Sequence, residues 1–159
     1  MIEIIEADFA SPAHAEALMA LLARYAEDPM GGGQPLPQPT REGLIPALRT
    51  RPNAHALLAY VDNIPAGLLI AFEGFSTFQC RPLLNIHDVA VDAPFRGRGL
   101  STRLLAEAEA LARRLGCCKL TLEVLEGNAP AKASYRKSGF DGYQLDPAMG
   151  RAQFWEKKL

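Results

Sequence analysis

The sequence predicts an α/β fold of the α+β kind: a mixed, mostly antiparallel central sheet of about seven strands with about four helices packed on it. Two observations carry this. From residue 54 onward, "AHALLAYV", the turn "DNIP" and "AGLLIAFE" follow one another, and "PLLNIHDVAV" comes next, so strands and a tight hairpin fill the middle of the chain. Leu100, Leu104, Ala108, Leu111 and Leu115 then recur at helical spacing before the apolar run "KLTLEVL". A helix therefore crosses over to a strand that must lie parallel to the 83–91 strand.

The other elements are read in order. Residues 2–7 form a first strand. Ser11 caps a helix with Pro12 at its first position and Leu18, Leu21, Leu22 and Tyr25 as its apolar residues. "AEDPMGGGQPLPQP" stops that helix, because three glycines and four prolines from Pro29 to Pro39 cannot form a regular element. A long loop results, a segment that serves function as often as it merely connects. A weaker helix follows Thr40 and ends near Arg51 and Pro52. The helix from Leu100 pairs Glu109 with Arg113 on another face and stops at Gly116. Asn128, with Pro130 two residues on, opens a short helix that closes at Gly139. Two final strands are expected around "FDGYQL" and "AQFWEKKL".

A chain of 159 residues, 48% hydrophobic, is expected to form one domain over residues 1–159 with a core that needs no metal or disulfide. A net charge of −1 offers no general attraction for nucleic acid or an anionic membrane, so neither is an expected partner. Cys80, Cys117 and Cys118 make no disulfide framework and no metal-ligand spacing, and no metal is expected. The acidic start "MIEIIEAD" is unlike a signal peptide, and no apolar run approaches a membrane span. A cytoplasmic protein is the expectation.

Any anionic ligand must then be met locally, and "VDAPFRGRGLSTRLL", residues 91–105, is the candidate, with a tight strand-to-helix turn carrying two solvated arginines as the alternative. A strand, a glycine-rich turn and a helix N-terminus present unpaired N–H groups and a positive dipole end. Gly97 and Gly99 allow close backbone approach, and Arg96 and Arg98 add charged donors. A dinucleotide fingerprint counted from Gly97 needs glycine where Thr102 stands, and a P-loop needs a Gly-Lys-Ser/Thr that is absent.

"RGRGLS" resembles the pyrophosphate-loop pattern Arg/Gln-x-x-Gly-x-Gly/Ala of the GCN5-related N-acetyltransferase (GNAT) superfamily, with Arg96 and Gly99 in place and Ser101 where glycine or alanine is usual. The order "IHDVAV", loop, helix, "LTLEVLEGN", "AKASYRKSGF" extends the resemblance over most of the chain. It implies the GNAT fold, with central strands splayed at the coenzyme site, and acetyl-CoA as co-substrate. Main-chain groups of Val89, Ala90 and Val91 would pair with the pantetheine arm. Arg96 and the loop residues Gly97, Arg98, Gly99, Leu100, Ser101 and Thr102 would hold the pyrophosphate. Asn128 would contact the coenzyme, and Tyr135 would lie beside the sulfur. Similar proteins are commonly paired, so a homodimer is expected.

Acetyl transfer to an amine of pKa about 10.4 requires deprotonation, worth roughly 4 to 5 kcal/mol of barrier at neutral pH. His87 and Asp88 are the adjacent candidates for the base. Strand alternation lets one of them reach the acceptor, and His87 is preferred for its ordinary pKa near 6.5 and its likeness in position to a glutamate in diamine acetyltransferases and a histidine in arylalkylamine ones. A relayed water stays open as an alternative. Tyr135 is the candidate general acid for the departing thiolate. Cys117 and Cys118 start an apolar strand with only Lys119 nearby to lower a thiol pKa, so they are read as buried small residues rather than nucleophiles.

"FEGFSTFQCRPLLNIHDVAV" and "FWEKKL" are similar to the diamine and polyamine branch of the superfamily. A small-molecule amine is the expected acceptor, with a protein acceptor and a non-catalytic acyl-CoA-binding module as alternatives. Glu27, Asp28 and Glu73 are candidates to attract it, and the glycine/proline loop and the stretch Gly74–Pro82, with Phe75 and Phe78, are where its pocket is expected.

Overall fold

Five strands form one sheet in the order β1-β2-β3-β4-β5. The computed structural model describes residues 1–159. β1 (Ile2–Glu6), β2 (Ala54–Val61), β3 (Ile64–Ser76) and β4 (Arg81–Val91) pair antiparallel in succession, and β5 (Leu120–Leu122) alone is parallel, to β4. The β2–β3 hairpin turns through Asp62 and Asn63 at φ 50° and 65°, the left-handed pair that a two-residue hairpin loop demands and these two residue types tolerate.

Alternation along the strands divides the core between the two sheet faces. α1 (Pro12–Glu27), capped by Ser11, lays Ala17, Leu18 and Leu21 on Ala56, Leu58, Leu68 and Ile70. On the other face, α3 (Leu100–Arg114) lays Leu100, Leu104, Leu105, Ala108 and Leu111 on Leu57, Leu69, Ala71, Leu84 and Ile86. α2 (Gln38–Arg49) sends Ile45 to the α1 side, and α4 (Ala129–Lys137) sends Tyr135 to the α3 side. The Glu109–Arg113 pair forms at 2.6 Å. No helix is long and apolar enough to cross a membrane.

Two expectations are corrected. The sheet has five strands, not about seven: beyond α4, residues 141–159 contain one 3-10 turn, Pro147–Met149, and one backbone bridge, Ala152 N–H to the Tyr143 carbonyl at 3.1 Å. Phe154 and Trp155 there are 75% and 83% exposed, so β-prone residues lacking a partner edge and a surface to cover form no ladder. α2 begins at Gln38 and not after Thr40, because Pro39 stands in its first turn, where a missing N–H costs nothing.

Gly67 of β3 sets how closely the layers approach. A Cβ there would stand 2.9 Å from the Ala90 carbonyl oxygen and 3.4 Å from the Leu104 side chain. The backbone oxygen cannot rotate away. Gly67→Ala is expected to cost about 1–3 kcal/mol of stability, measured as a lower urea midpoint at unchanged slope.

Candidate active site

β4 outruns its neighbour. Its pairing with β5 covers Leu84, Asn85 and Ile86 against Leu120, Thr121 and Leu122, and β4 then continues to Val91 with no strand on that edge. Asn85 donates to the Thr121 hydroxyl at 3.0 Å and pins the place where the two part. The central strands are thus splayed, as expected, with Val89, Ala90 and Val91 on the open edge.

Beyond Val91 the chain makes a 3-10 turn, Ala93–Phe95, and enters α3 through Gly97 and Gly99 at φ 77° and 76°. Gly99 is the N-cap and has no side chain to cap with. None of the amides of Gly97, Arg98, Gly99, Leu100, Ser101 and Thr102 donates a hydrogen bond within the protein. This run of bare N–H groups at a helix N-terminus is a cradle for an anion with several oxygens.

The flanking side chains differ from expectation. Arg96 turns away from the cradle: its Nε donates to the Val91 carbonyl at 3.1 Å and its Nη2 to Asp28 at 2.8 Å. The Arg98 guanidinium lies over the Phe95 ring, 5.5 Å from its centre. Ser101 shares its hydroxyl with Ser134 of α4 and so ties the two helices together. Asn128 caps α4, its side-chain oxygen accepting from the Ala131 N–H at 3.2 Å, which leaves its amide NH2 uncommitted.

At His87 and Asp88 the register slips. Ile86 faces Ala71 and Asp88 faces Ile70, leaving His87 as the inserted residue of a bulge. Strict alternation therefore fails here. Asp88 shares the face of Ile70, the α1 face, and the exposed His87 ring meets Phe72, of that same face, edge-on at 5.7 Å. Burial pushes the Asp88 carboxyl above the usual carboxylate range, against the pull of His87.

Tyr135 is half-buried against the α3-side core and packs edge-on to Phe140 with ring centres 6.1 Å apart. Burial, and secondarily Tyr25, pushes its phenol up to about 12. Tyr25 of α1 is itself raised, by burial first and then by Asp88 and Asp28. Tyr25 thus connects electrostatically to both groups across the splay, a role missed in the sequence because position 25 continues the apolar stripe of α1.

A cleft of about 280 Å3 opens on the α1 side, lined by Tyr25, Asp28, Ala90, Asp92 and Arg96 among others. The glycine/proline loop reaches it through Asp28, and Glu27 borders it too. The other expected acceptor stretch does not: Gly74–Pro82 is the β3–β4 connection with its flanking ends, at the far end of β4 from Arg96. Glu73 near that end is held by His55 at 2.7 Å. Cys117 is half-buried, and burial, then Glu73, raises its thiol, the wrong direction for a nucleophile.

The fold thus carries an open strand edge, a run of bare amides at a helix start, a raised carboxyl and a raised phenol. The chain belongs to the acetyltransferase (GNAT) family, whose pattern matches residues 15–140. It is 37% identical over 83 residues to streptothricin acetyltransferase of Streptomyces lavendulae, a match covering 52% of this chain and 44% of that one. It is 28% identical over 125 residues to thialysine N-epsilon-acetyltransferase of Caenorhabditis elegans, covering 79% and 76%. Among the first curated relatives matched, the chain spans about half the length or less. The fold superposes on an aminoglycoside N-acetyltransferase in complex with CoA at TM-score 0.75, with 16% identity, over 100% of this chain and 96% of that one.

The Asp88 environment has a stability consequence with a definite sign. A carboxyl whose native pKa is raised binds its proton more tightly folded than unfolded, so it destabilises the fold above that pKa and the penalty fades as pH falls through it. Asp88→Asn is therefore expected to raise Tm at pH 7 by on the order of a few degrees, with the gap to the wild type closing on acidification. Thermal melts across pH 4–8 check this; an unchanged gap contradicts it.

Proposed function

We propose that the protein transfers the acetyl group of acetyl-CoA to a primary amine of a cationic small molecule, by direct attack in a ternary complex. The observation that carries this is the run of undonated amides from Gly97 to Thr102 beside the open edge of β4. Those amides and the dipole of α3 bind the pyrophosphate, with Arg98 adding charge. The edge from Val89 to Val91 pairs with the pantetheine arm as an added strand would, and the free amide of Asn128 contacts it. The thioester then lies in the splay between Asp88 and Tyr135.

Asp88 takes the proton that leaves the attacking nitrogen. It is preferred over His87 because the bulge turns it onto the cleft face and burial raises its basicity, while His87 stands exposed beside Phe72. The amine nitrogen bonds to the carbonyl carbon as the charge growing on the carbonyl oxygen is met by a backbone N–H near Val89. The carbon–sulfur bond breaks, and Tyr135, protonated up to a pH of about 12, gives its proton to the departing sulfur.

Streptothricin and aminoglycoside acetyltransferases among the similar proteins support a small cationic acceptor, and the thialysine relative supports an aliphatic amine. Glu27 lines the cleft without an arginine partner, whereas Asp28 and Asp92 each hold one, and Asp88 lies on the same face of the sheet. The glycine/proline loop, fastened at Asp28 on the border of the cleft, supports a small acceptor over an extended peptide. A single domain over residues 1–159, paired as a homodimer, belongs to the same proposal; the exposed Phe154 and Trp155 support association of copies.

Thiol release from acetyl-CoA across aminoglycosides, streptothricin, polyamines, arylalkylamines and peptides tests the reading. Cationic small amines are expected to release thiol, and turnover by peptides alone would sink it. Tyr135→Phe is expected to lower kcat by roughly 10²- to 10⁴-fold. The rate should rise with pH through an acid limb lying above the ordinary carboxylate range, and that limb should vanish in Asp88→Asn but persist in His87→Gln. The reverse pattern would return the base to His87.

A further inference from the structure

The turn that precedes the anion cradle is fastened to the end of α1 by two ion pairs of opposite sense. Arg96 of the turn meets Asp28 at 2.8 Å, and Asp92 of the turn meets Arg24 of α1 at 3.0 Å. Each segment thus contributes one cation and one anion, spaced four residues apart in both. The two pairs line the same cleft.

Asp28 is the hinge point of the glycine/proline loop. Its N–H closes α1 on the Tyr25 carbonyl at 3.0 Å, and its carbonyl accepts from Gly31 at 2.8 Å and Gly33 at 3.0 Å. One carboxylate oxygen accepts from the Met30 N–H at 2.9 Å, and the other takes Arg96. Gly31 is pressed so close to α1 that an added Cβ would stand 1.9 Å from the Tyr25 carbonyl oxygen. The loop therefore has one tight arrangement, and Arg96 fastens it to the turn.

Arg96 is engaged away from the cradle. With Nε on the Val91 carbonyl, the planar guanidinium is fixed and its Nη2 points at Asp28. Resting on the reading of Gly97–Thr102 as the coenzyme cradle, we propose that Arg96 is a positioning residue for the acceptor side. With Asp28, Arg24 and Asp92 it forms a clasp that seats the 28–34 loop against the coenzyme turn. Anything that immobilises that turn then favours the seated loop, and an acceptor that binds the seated loop favours coenzyme in return.

Amide hydrogen exchange on the full chain, wild type against Arg96→Gln and Asp28→Asn, together with calorimetry of CoA binding, tests the clasp. Asp28→Asn keeps an oxygen for the Met30 N–H and turns an NH2 toward Arg96, so it breaks the ion pair while sparing the loop's internal turn. Both variants are expected to exchange roughly tenfold faster over residues 30–34, with CoA affinity held within about threefold. Arg96→Lys, which keeps the charge but not the fork, is expected to fall between. With any amine found to be a substrate, both variants should raise its KM about tenfold more than that of acetyl-CoA. The proposal is overturned if Arg96→Gln weakens CoA by more than about tenfold, as a phosphate ligand would, or if neither variant speeds exchange. A wild type that binds no CoA would instead refute the cradle, while the exchange comparison would still report on the clasp.

Discussion

β4 reaches Val91 although β5 leaves it at Ile86, and the site depends on that mismatch. A strand edge in water carries N–H and C=O groups that a neighbouring strand would satisfy, and a protein that leaves them bare has kept them for something else. Here the β4 edge, its Val91 carbonyl taken by Arg96, leads into the bare amides of Gly97 to Thr102, so extended backbone and helix start follow one another along the chain. A ligand matching both needs an arm that pairs with a strand and a compact multiply charged anion at its end.

The opening also explains why two groups of unlike chemistry are tuned in one direction. Asp88 on the α1 face and Tyr135 on the α3 face are both raised by burial. For a carboxylate this means a stronger base, and for a phenol a proton retained to high pH. The same withdrawal from water that raises Asp88 is costly to the fold, and under the proposed role of Asp88 as base, activity and stability are opposed at one residue.

What the sequence made legible was what short-range chemistry decides. The α3 stripe, the caps at Ser11 and Asn128 and the Asp62–Asn63 turn each depend on residues within a few positions of one another, and they formed as read. The cradle was legible for the same reason, since glycines and a helix start are adjacent in the chain. The ion pair of Arg96 was not: its partner Asp28 lies 68 residues away, and nothing local pointed to it. Tyr25 was hidden by lying on an apolar helix stripe, where an aromatic ring is expected to pack. The segments around Tyr143 and Phe154 failed the other way, because their strand propensity was real but needed an edge and a covered face that this chain does not supply.

The bulge at His87 shows most clearly how register decides chemistry. With simple alternation from Ile86, which faces α3, Asp88 would also face α3 and bring a carboxylate into the apolar layer around Leu104. The inserted residue reverses the phase: Asp88 joins Ile70 on the α1 face, while Val89 and Val91 return to the α3 layer and Ala90 to the α1 layer. One extra residue thus keeps the apolar layer intact and brings the carboxyl to the face where the cleft opens. Only the pairing with β3 specifies it, so β4 alone distinguishes His87 from Asp88 by intrinsic pKa, whereas the folded chain separates them by position, Asp88 half-buried and His87 exposed.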